Sequence, residues 1–485
     1  MRPILRILDE SLLQRILAEA FALLTSPGVR VGSPEALQLL KSAGARIIEG
    51  IAYIPEPVVR RALDSTPKEF CLHDRQGQPT VRYGGNSVHF APGSSCLNIL
   101  DAESQRPRPA MAADLIRLVQ VTEMLPQFAA QSTAMVVNDV PSGMGDWYRL
   151  LLVLWHSDKP IVTGAFSVPT LSTMLALLVA DAGGADAARQ KPRAVFDVCP
   201  SPPLNWSDFA SQNLLTLARA GIPAEIVSMP LAGATAPVTL AGSVVQHAAE
   251  TLAGIAIHQL AGPGAPIVWG GAPAIFDMST GNTPMGAIET AMLDMACSEV
   301  GKSLGLPTHG YLVASDTRQL DPQAGAESSM SAVLGALSGI NMISGAGMLD
   351  FLACHSVEKL VIDAEAIASV QRLLEGIEAR GDSLATGMFS KLGFSGEFLK
   401  LPETRILFRK EQHFPSILTD RGAEPEPTDL LARARTRVQE LLQTCHRPTL
   451  PADREAALLA IAHREAKAFG LEVLPALEAV EAVHH

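Results

Sequence analysis

The chain has 485 residues, of which 47% are hydrophobic and 18% are charged, and its formal net charge is −12. This composition provides material for a large core and is unlike that of a disordered chain. The acidic balance argues against nucleic-acid binding, which requires a basic face. No apolar stretch reaches the ~20 uncharged residues that cross a bilayer, and the six cysteines include no CxxC pair. We therefore expect no membrane association, and reduced thiols in the cytoplasm.

Residues 1–125 predict an accessory region of helices and short strands. Apolar residues recur at helical spacing after Asp9, which is a typical N-cap. A second helix is predicted over Pro34–Ala43, with Ser33 as its N-cap and a proline at its first position. A third helix and two strands complete the region, over Pro55–Leu63, Val88–Gly93 and Cys96–Asp101.

From residue 126 onwards, short segments rich in β-branched residues alternate with longer helical segments. Seven of them are predicted as strands: Gln131–Val137, Ile161–Ser167, Ala194–Cys199, Ala224–Met229, Ile267–Gly270, His309–Ala314 and Asn341–Gly345. Apolar strands that alternate with helices indicate a parallel sheet buried on both faces. We predict an α/β fold, a (β/α)8 TIM barrel, whose eighth strand comes from the accessory region or from the segment after residue 380. The alternative, an open doubly wound sheet, lacks its GxGxxG marker, and no GxxxxGK(S/T) occurs.

The last part of the chain predicts a helical extension, with amphipathic stretches over Leu430–Leu442 and Arg454–Phe469. The predicted organisation is therefore an accessory region (1–125), a barrel (126–425) and C-terminal helices (426–485). In a parallel barrel, catalytic groups come from the C-terminal ends of the strands, so we search for the site there.

The loop Met229–Thr239, MPLAGATAPVT, is the most unusual segment at a strand end. Two prolines stiffen it, Gly233 permits close approach of a ligand, and Thr235 offers a hydroxyl. A helix predicted from Gly242 to Gln259 follows, and a helix N-terminus suits an anionic group. The residues leave two interpretations open, a ligand cradle and a packed connection.

Standard catalytic constellations are missing, since the chain has no GxSxG and no HExxH, and its histidines are not at ligand spacing. We therefore predict no metal site. His309 is placed at a predicted strand end, and acidic or amide side chains follow it closely, namely Asp316, Asp321, Gln323 and Glu327. Each of these four is also compatible with a solvated loop. Aromatic residues at or beyond strand ends could enclose a quaternary ammonium ion or pack in the core: Phe166, Trp206, Trp269, Phe276 and Tyr311.

Several segments resemble the trimethylamine methyltransferase-like family. They are MPLAGATAPVTLAG (229–242), AGPGAPIVWG (261–270), GLPTHGYLVASDTRQLDPQAG (305–325) and EFLKLPETRILFRKEQHFPSILTDRG (397–422). The resemblance extends over nearly the whole chain. It implies a (β/α)8 barrel that moves a methyl group from a methylated amine to the corrinoid (cobalamin) of a separate partner protein.

The resemblance also narrows the substrate. Family members that act on trimethylamine carry pyrrolysine on the strand that corresponds to His309–Asp316, whereas this chain has only standard residues there. It is therefore similar to the pyrrolysine-less branch, which includes glycine betaine methyltransferases, and this implies a quaternary amine. A Gln-Ala-Gly-Tyr-Glu segment of the family reads Gln323-Ala324-Gly325-Ala326-Glu327 here, which leaves the particular substrate open.

The leading hypothesis is a corrinoid-dependent methyltransferase for a small betaine-like amine, acting as a homo-oligomer. Two alternatives are the same barrel acting on a methylthio, sulfonium or methoxy donor, and a barrel that only binds a small ligand. We predict His309 and Asp316 as the catalytic residues that hold the polar end of the substrate. The predicted substrate-binding residues are Phe166, Met229, Gly233, Thr235, Trp269, Phe276, Tyr311, Gln323 and Glu327.

Overall fold

The computed structural model describes residues 3–422 and 428–475, and its first elements are helices and short antiparallel strands. In chain order they are α1 (Glu10–Thr25), β1 (Val29–Val31), α2 (Pro34–Ala43), β2 (Arg46–Ile48), β3 (Ile51–Tyr53), α3 (Glu56–Ser65), β4 (Phe70–His73) and β5 (Pro79–Tyr83). The predicted caps are confirmed, because Asp9 accepts from the amide of Leu12 at 2.8 Å and Ser33 accepts from the amide of Ala36 at 3.4 Å. The apolar face of α1 packs on a long helix of the central region.

The central region alternates strands and helices over some 290 residues. Its elements are β6 (His89–Pro92), β7 (Asn98–Leu100), β8 (Pro107–Pro109), α4 (Ala112–Glu123), β9 (Gln131–Ser132), α5 (Gly145–His156), β10 (Ile161–Gly164), α6 (Val168–Ala182), α7 (Ala185–Gln190), β11 (Ala194–Val198), β12 (Asn205–Trp206), α8 (Asp208–Ala220), β13 (Ala224–Ser228), β14 (Leu231–Ala232), α9 (Leu240–Ala261), β15 (Ile267–Gly271), β16 (Ala274–Ile275), α10 (Ile288–Ser303), β17 (His309–Tyr311), α11 (Pro322–Leu337), β18 (Met342–Ala346), β19 (Met348–Leu349), β20 (Cys354–His355) and α12 (Val357–Glu375).

Eight of these strands are parallel and neighbour one another in a continuous series. One sheet has the order β15-β13-β11-β10-β9 and another has the order β17-β18-β6. A parallel bridge between Trp269 and Thr308 joins β15 to the β17 side. At the other edge, the amide of Ala129, just before β9, donates to the carbonyl of Phe90 on β6 at 3.0 Å. The two sheets therefore contact each other at both edges.

Each of the seven predicted strand segments contains one of these strands, which confirms the alternating α/β pattern. The eighth parallel strand is β6, and it belongs to the predicted accessory region rather than to the segment after residue 380. The division of the chain into three domains stays a prediction, and its boundary at 425/426 lies outside the described residues.

A hairpin of β4 and β5 covers the N-terminal ends of the parallel strands. Its buried side chains Leu72, Val81 and Tyr83 pack in one cluster with apolar side chains that lie on, or directly before, six of the parallel strands. Those partners are Ala91, Ala130, Val162, Val195, Val268 and Met342. This end of the strand assembly is therefore filled by side chains.

The C-terminal elements are α13 (Thr386–Leu392), α14 (Pro402–Glu411), α15 (Leu430–Thr444) and α16 (Ala452–Ala468). The two predicted amphipathic helices are confirmed as α15 and α16, which pack on α12 with α4 and on α6 with α5. By contrast, α13 and α14 bury none of their residues. None of the described helices is long and apolar enough to cross a lipid bilayer.

A buried ion-pair network ties the hairpin to the helices around it. Asp181 at the end of α6 is 2% exposed, and its carboxylate lies 2.5 Å from a guanidinium nitrogen of Arg75 and 2.6 Å from one of Arg193. Arg75 belongs to the turn between β4 and β5, and Arg193 directly precedes β11. Asp181 therefore pairs with both buried cations, and Arg75 has a second carboxylate partner in Asp158, 2.7 Å away.

We expect Asp181→Asn to lower the free energy of unfolding by about 3–5 kcal/mol, because it leaves the buried Arg193 without a counter-charge and Arg75 with Asp158 as its remaining partner. The midpoint of urea unfolding measures the loss. Glu35→Gln is the matched control, since it breaks the half-exposed pair with Arg219, and it should cost about 0–1 kcal/mol. Equal losses in the two variants would contradict the proposed role of Asp181.

Candidate active site

The inner faces of the parallel strands change from apolar to polar along their length. At the N-terminal ends they carry residues such as Val162 and Val195, which pack against the hairpin. Because side chains alternate along a strand, the next inner positions on β11 and beyond are Asp197 and Cys199. Asp197 is partly accessible and Cys199 is exposed. We call the space that these two accessible side chains face, on the C-terminal side of the strands, the well.

Three ionisable side chains meet at the bottom of the well, and we call Asp197, Glu225 and His309 the acidic floor. Asp197 and Glu225 are register partners on the neighbouring strands β11 and β13. Oε1 of Glu225 lies 2.5 Å from Nδ1 of His309, whose Nε2 lies 3.0 Å from the hydroxyl oxygen of Ser344. At Gly270, on the intervening strand β15, an added Cβ would lie 2.9 Å from Cγ of Glu225 and 3.3 Å from Nδ1 of His309. The glycine therefore leaves the space in which these side chains meet.

Burial decides the charge of the acidic floor. It raises the pKa of Glu225 to about 8, and burial together with the nearby Glu225 raises the pKa of Asp197 well above its ordinary value. Burial also lowers the pKa of His309 to about 4, so its imidazole is neutral at pH 7. These shifts follow from the cost of placing a charge away from water.

The floor contains no permanent positive charge of its own. Among the described residues, no Lys or Arg forms an ion pair with Asp197 or Glu225, and the polar side chains close to the Glu225 carboxyl are those of His309, Asp197 and Tyr83. Neither oxygen of Glu225 nor Oδ1 of Asp197 has a hydrogen bond of good geometry within that part of the chain. No cluster of three possible metal ligands was found among the described residues. Buried carboxyl groups in this state are suited to an incoming cation.

Aromatic and polar side chains form the wall and the rim of the well. Tyr311, two residues beyond His309 on β17, shares a hydrogen bond between its hydroxyl and that of Ser94. The ring of Tyr311 meets the imidazole of His309 edge-on, with the centroids 5.1 Å apart. Phe166 follows β10 and is exposed, and the guanidinium of the buried Arg149 lies 5.0 Å from the centre of its ring. The rim thus offers one accessible aromatic face, and the wall a hydroxyl pair.

The aromatic residues predicted for a cation cage lie in different places. Tyr311 and Phe166 border the well, whereas Trp269 is buried and its indole nitrogen donates to a backbone carbonyl of α10 at 2.9 Å. The ring of Trp269 also packs directly against Gly301 of that helix. Phe276 follows β16 and is partly buried in the connection beyond the strand ends. Trp269 therefore faces α10 and not the well.

The polar residues that follow β17 hold loops together. The carboxylate of Asp316 accepts from the amides of Met285 at 2.7 Å and Gly286 at 2.9 Å, and burial raises its pKa to about 6. Glu327 accepts from the amide of Asp316 at 2.9 Å and from the side-chain amide of Gln323 at 2.8 Å. These polar atoms are engaged in a loop network, whereas His309 is part of the acidic floor.

The loop Met229–Thr239 is held by its own hydrogen bonds. The hydroxyl of Thr235 accepts from the amide of Leu231 at 3.0 Å, and the strands β14 and β16 pair beside it. Gly233 has a φ of +96°, in the left-handed region that favours glycine. These bonds support the packed connection as the role of Gly233 and Thr235. Met229 is different, because it is exposed and continues the inner side of β13 beyond Glu225.

Five residues in or near the well are not among those predicted from the sequence, namely Asp197, Glu225, Cys199, Ser94 and Arg149. The available signal was the charge inside apolar strands, since β11 reads AVFDV and β13 reads AEIVS. Acidic residues are rarely buried unless they are paired or functional. A search for acids within predicted core strands would have found both carboxyls of the floor.

Cys199 reports on the electrostatics of the well, because burial, Asp197 and Glu225 together raise the pKa of its thiol to about 12. We expect iodoacetamide to alkylate Cys199, which is accessible as a residue, slowly at pH 9. Alkylation should be severalfold faster in the double variant Asp197→Asn/Glu225→Gln, since the thiolate is the reactive form. Peptide mapping by mass spectrometry gives the rate. Asp294→Asn is the control, because this buried carboxyl faces Gly310 from the outer side of β17. Identical rates in all three proteins would show that the floor does not act on the thiol.

Comparison with known proteins covers nearly the whole chain. The family model for trimethylamine methyltransferase (MTTB) matches residues 1–470. The chain is 32% identical over 475 residues to the trimethylamine methyltransferase MttB2 of Methanosarcina mazei, with 92% of each chain covered. It is 27% identical over 477 residues to a glycine betaine methyltransferase of Desulfitobacterium hafniense, with 97% of this chain and 99% of that one covered.

A solved structure with a similar fold is the monomethylamine methyltransferase MtmB of Methanosarcina barkeri. The TM-score is 0.52 at 11% sequence identity, and the likeness covers 97% of this chain and 89% of that one. At this identity the likeness concerns the α/β fold alone. The family match rests on the sequence, and it shows that the chain belongs to the trimethylamine methyltransferase (MTTB) family and is a methyltransferase.

Proposed function

We propose that this methyltransferase moves a methyl group from a small, betaine-like quaternary ammonium compound to the Co(I) corrinoid of a separate protein. The observation that carries the proposal is the acidic floor, in which the buried Glu225 and the partly accessible Asp197 have no Lys or Arg partner among the described residues. We also propose that the eight parallel strands close into a (β/α)8 barrel around the well. The strand contacts at both edges of the two sheets support this closure.

The floor suits the substrate by charge rather than by hydrogen bonding. A quaternary nitrogen has no N–H to donate, so recognition depends on Coulomb attraction to the ionised form of the Asp197–Glu225 pair and on contact with aromatic faces such as Tyr311. Opposite unit charges 4 Å apart attract by about 4 kcal/mol at an effective dielectric constant of 20. The amine that leaves a quaternary donor is neutral, so the transfer itself requires no residue to protonate it. The residues of this chain would orient the donor and keep water away from it.

The rim of the well fits a large partner group. Exposed apolar side chains lie on the loops after the strands, notably Phe166, Met229, Val238 and Met278. Exposed apolar residues around a pocket are typical of interaction surfaces, and these would contact a corrinoid or the protein that carries it. When bound there, the corrinoid would supply the nucleophile that accepts the methyl group.

The acidic floor also bears on the alternative donors. A sulfonium compound carries the same permanent charge and would be held in the same way, so this alternative remains compatible with the site. A methoxy or methylthio donor is neutral and gains nothing from two carboxyls. A barrel that only binds a small ligand would give no methylated product with any donor.

The predicted homo-oligomer is likewise a proposal. Residues 376–411 carry several of the most exposed large apolar side chains of the chain, among them Ile377, Phe394 and Leu399, which are 97%, 108% and 90% exposed. This segment begins where α12 ends, near the N-terminal end of the strands and away from the mouth of the well. We propose that it contacts a second copy of the chain, and light scattering of a variant with serine at these three positions tests whether the mass falls.

The function is tested by mixing the protein with Co(I) corrinoid and glycine betaine, choline or tetramethylammonium, and following the methylated corrinoid in the visible spectrum. We expect transfer from at least one cationic donor. Glu225→Gln should raise KM for that donor about tenfold or more, equivalent to about 1.4 kcal/mol, because it removes the carboxyl of the pair that ionises near pH 8 and would hold the cation. Asp294→Asn should leave KM unchanged. Transfer from methoxy donors alone would contradict the proposal, and sulfonium donors in the same panel separate the remaining alternative.

A further inference from the structure

Every titratable group that faces the Asp197–Glu225 pair is neutral near pH 7. On β17, the pKa of His309 is lowered to about 4 and that of Tyr311 is raised well above its ordinary value, in each case mainly by burial. Tyr83 of the hairpin, which faces Glu225, has its pKa raised in the same way. Beyond β11, the pKa of the Cys199 thiol is raised to about 12. The pair is therefore the one group in this set that can change its charge near neutral pH.

The two carboxyls also lie in register on adjacent strands, inside the protein and without a cation. Two like charges in such a position repel each other, so the pair holds protons when the well contains no cation. A cation that enters the well stabilises the ionised form of the pair and so lowers its affinity for protons. The charge of the ligand and the proton content of the pair are thus linked.

We propose that Asp197 and Glu225 form a proton-exchanging cation site, in which a permanent monovalent cation that enters the well displaces one proton from the pair to solvent. The cation would have one positive charge on a compact, N- or S-methylated centre. The inference rests on the proposed function only for the class of ligand, since the exchange occurs on binding and needs no methyl acceptor.

The pKa values give the direction of the pH dependence. Because the pKa of Glu225 is raised to about 8 by burial, the pair must lose a proton before it attracts a cation at pH 6 or 7. At pH values below about 8, the affinity for the cation should therefore increase about tenfold with each unit by which the pH is raised, as expected when one proton is released per ligand. It should become constant at higher pH, where the proton has already left.

The exchange also predicts how the site distinguishes ligands of equal shape. In 3,3-dimethylbutan-1-ol a quaternary carbon replaces the quaternary nitrogen of choline. The two compounds therefore have nearly the same volume, but the alcohol carries no charge. Only choline would release a proton. For glycine betaine, the carboxylate must point away from the acidic floor, because it carries the same charge sign as the ionised pair.

Titration calorimetry of the full chain, without corrinoid, tests the proposal with tetramethylammonium, choline and glycine betaine as probes. Measurements at pH 7 in phosphate and in Tris, whose ionisation enthalpies differ, count the protons released. We expect about one proton per bound cation, and a Kd that falls about tenfold between pH 6 and pH 7. The alcohol should bind weakly and release none.

Variants assign the proton to the pair. Glu225→Gln and Asp197→Asn should each flatten the pH dependence of Kd, whereas Asp294→Asn should keep it, although it also removes a buried carboxyl with a raised pKa. Circular dichroism shows whether each variant is folded, and the pH series on the unchanged protein requires no variant at all. Cation binding with no proton release between pH 6 and pH 8 would overturn the exchange and leave the proposed methyl transfer intact. Proton-linked binding without any methyl transfer would support the exchange and reject the proposed function.

Discussion

The rest of the site depends on the contact between two acidic side chains on neighbouring, otherwise mostly apolar strands. Asp197 and Glu225 are placed side by side because β11 and β13 are parallel neighbours, and the absence of a side chain at Gly270 lets His309 approach from β17. The neutral imidazole of His309 lies 2.5 Å from one oxygen of Glu225 and contributes no charge. The strand assembly thus holds two carboxyls next to each other away from water, a placement that costs free energy.

The fold was largely predictable from the residues. Apolar segments such as 194–199 and 224–229 are typical of strands buried on both faces, and Asp9 and Ser33 were recognisable as helix caps. The eighth parallel strand was harder to locate, because His89–Pro92 is short, ends in a proline and lies far from its partner β18 in sequence. Pairing between distant segments is a tertiary property that local patterns do not encode.

The site was predicted in part. His309 and Tyr311 were identified by their position at a strand end, and both lie around the well. Asp316 was chosen by the same reasoning, but its carboxylate binds two backbone amides of a neighbouring loop. Trp269 faces α10 because the alternation along β15 turns it outward. The position of a residue at a strand end predicts where in the fold it lies. Whether its side chain points inward or outward depends on the register of the strand.

The hairpin of β4 and β5 has a kinetic consequence. Leu72, Val81 and Tyr83 fill the N-terminal end of the strand assembly, so the well is a blind channel with one mouth. Under the proposed function, the docked corrinoid protein would cover that mouth. The donor would then have to arrive first, and the demethylated amine could leave only after the partner departs. Turnover in such an arrangement follows a compulsory order. A large excess of the partner protein would slow it, because the partner would bind to enzyme that contains no donor or that still contains the demethylated amine.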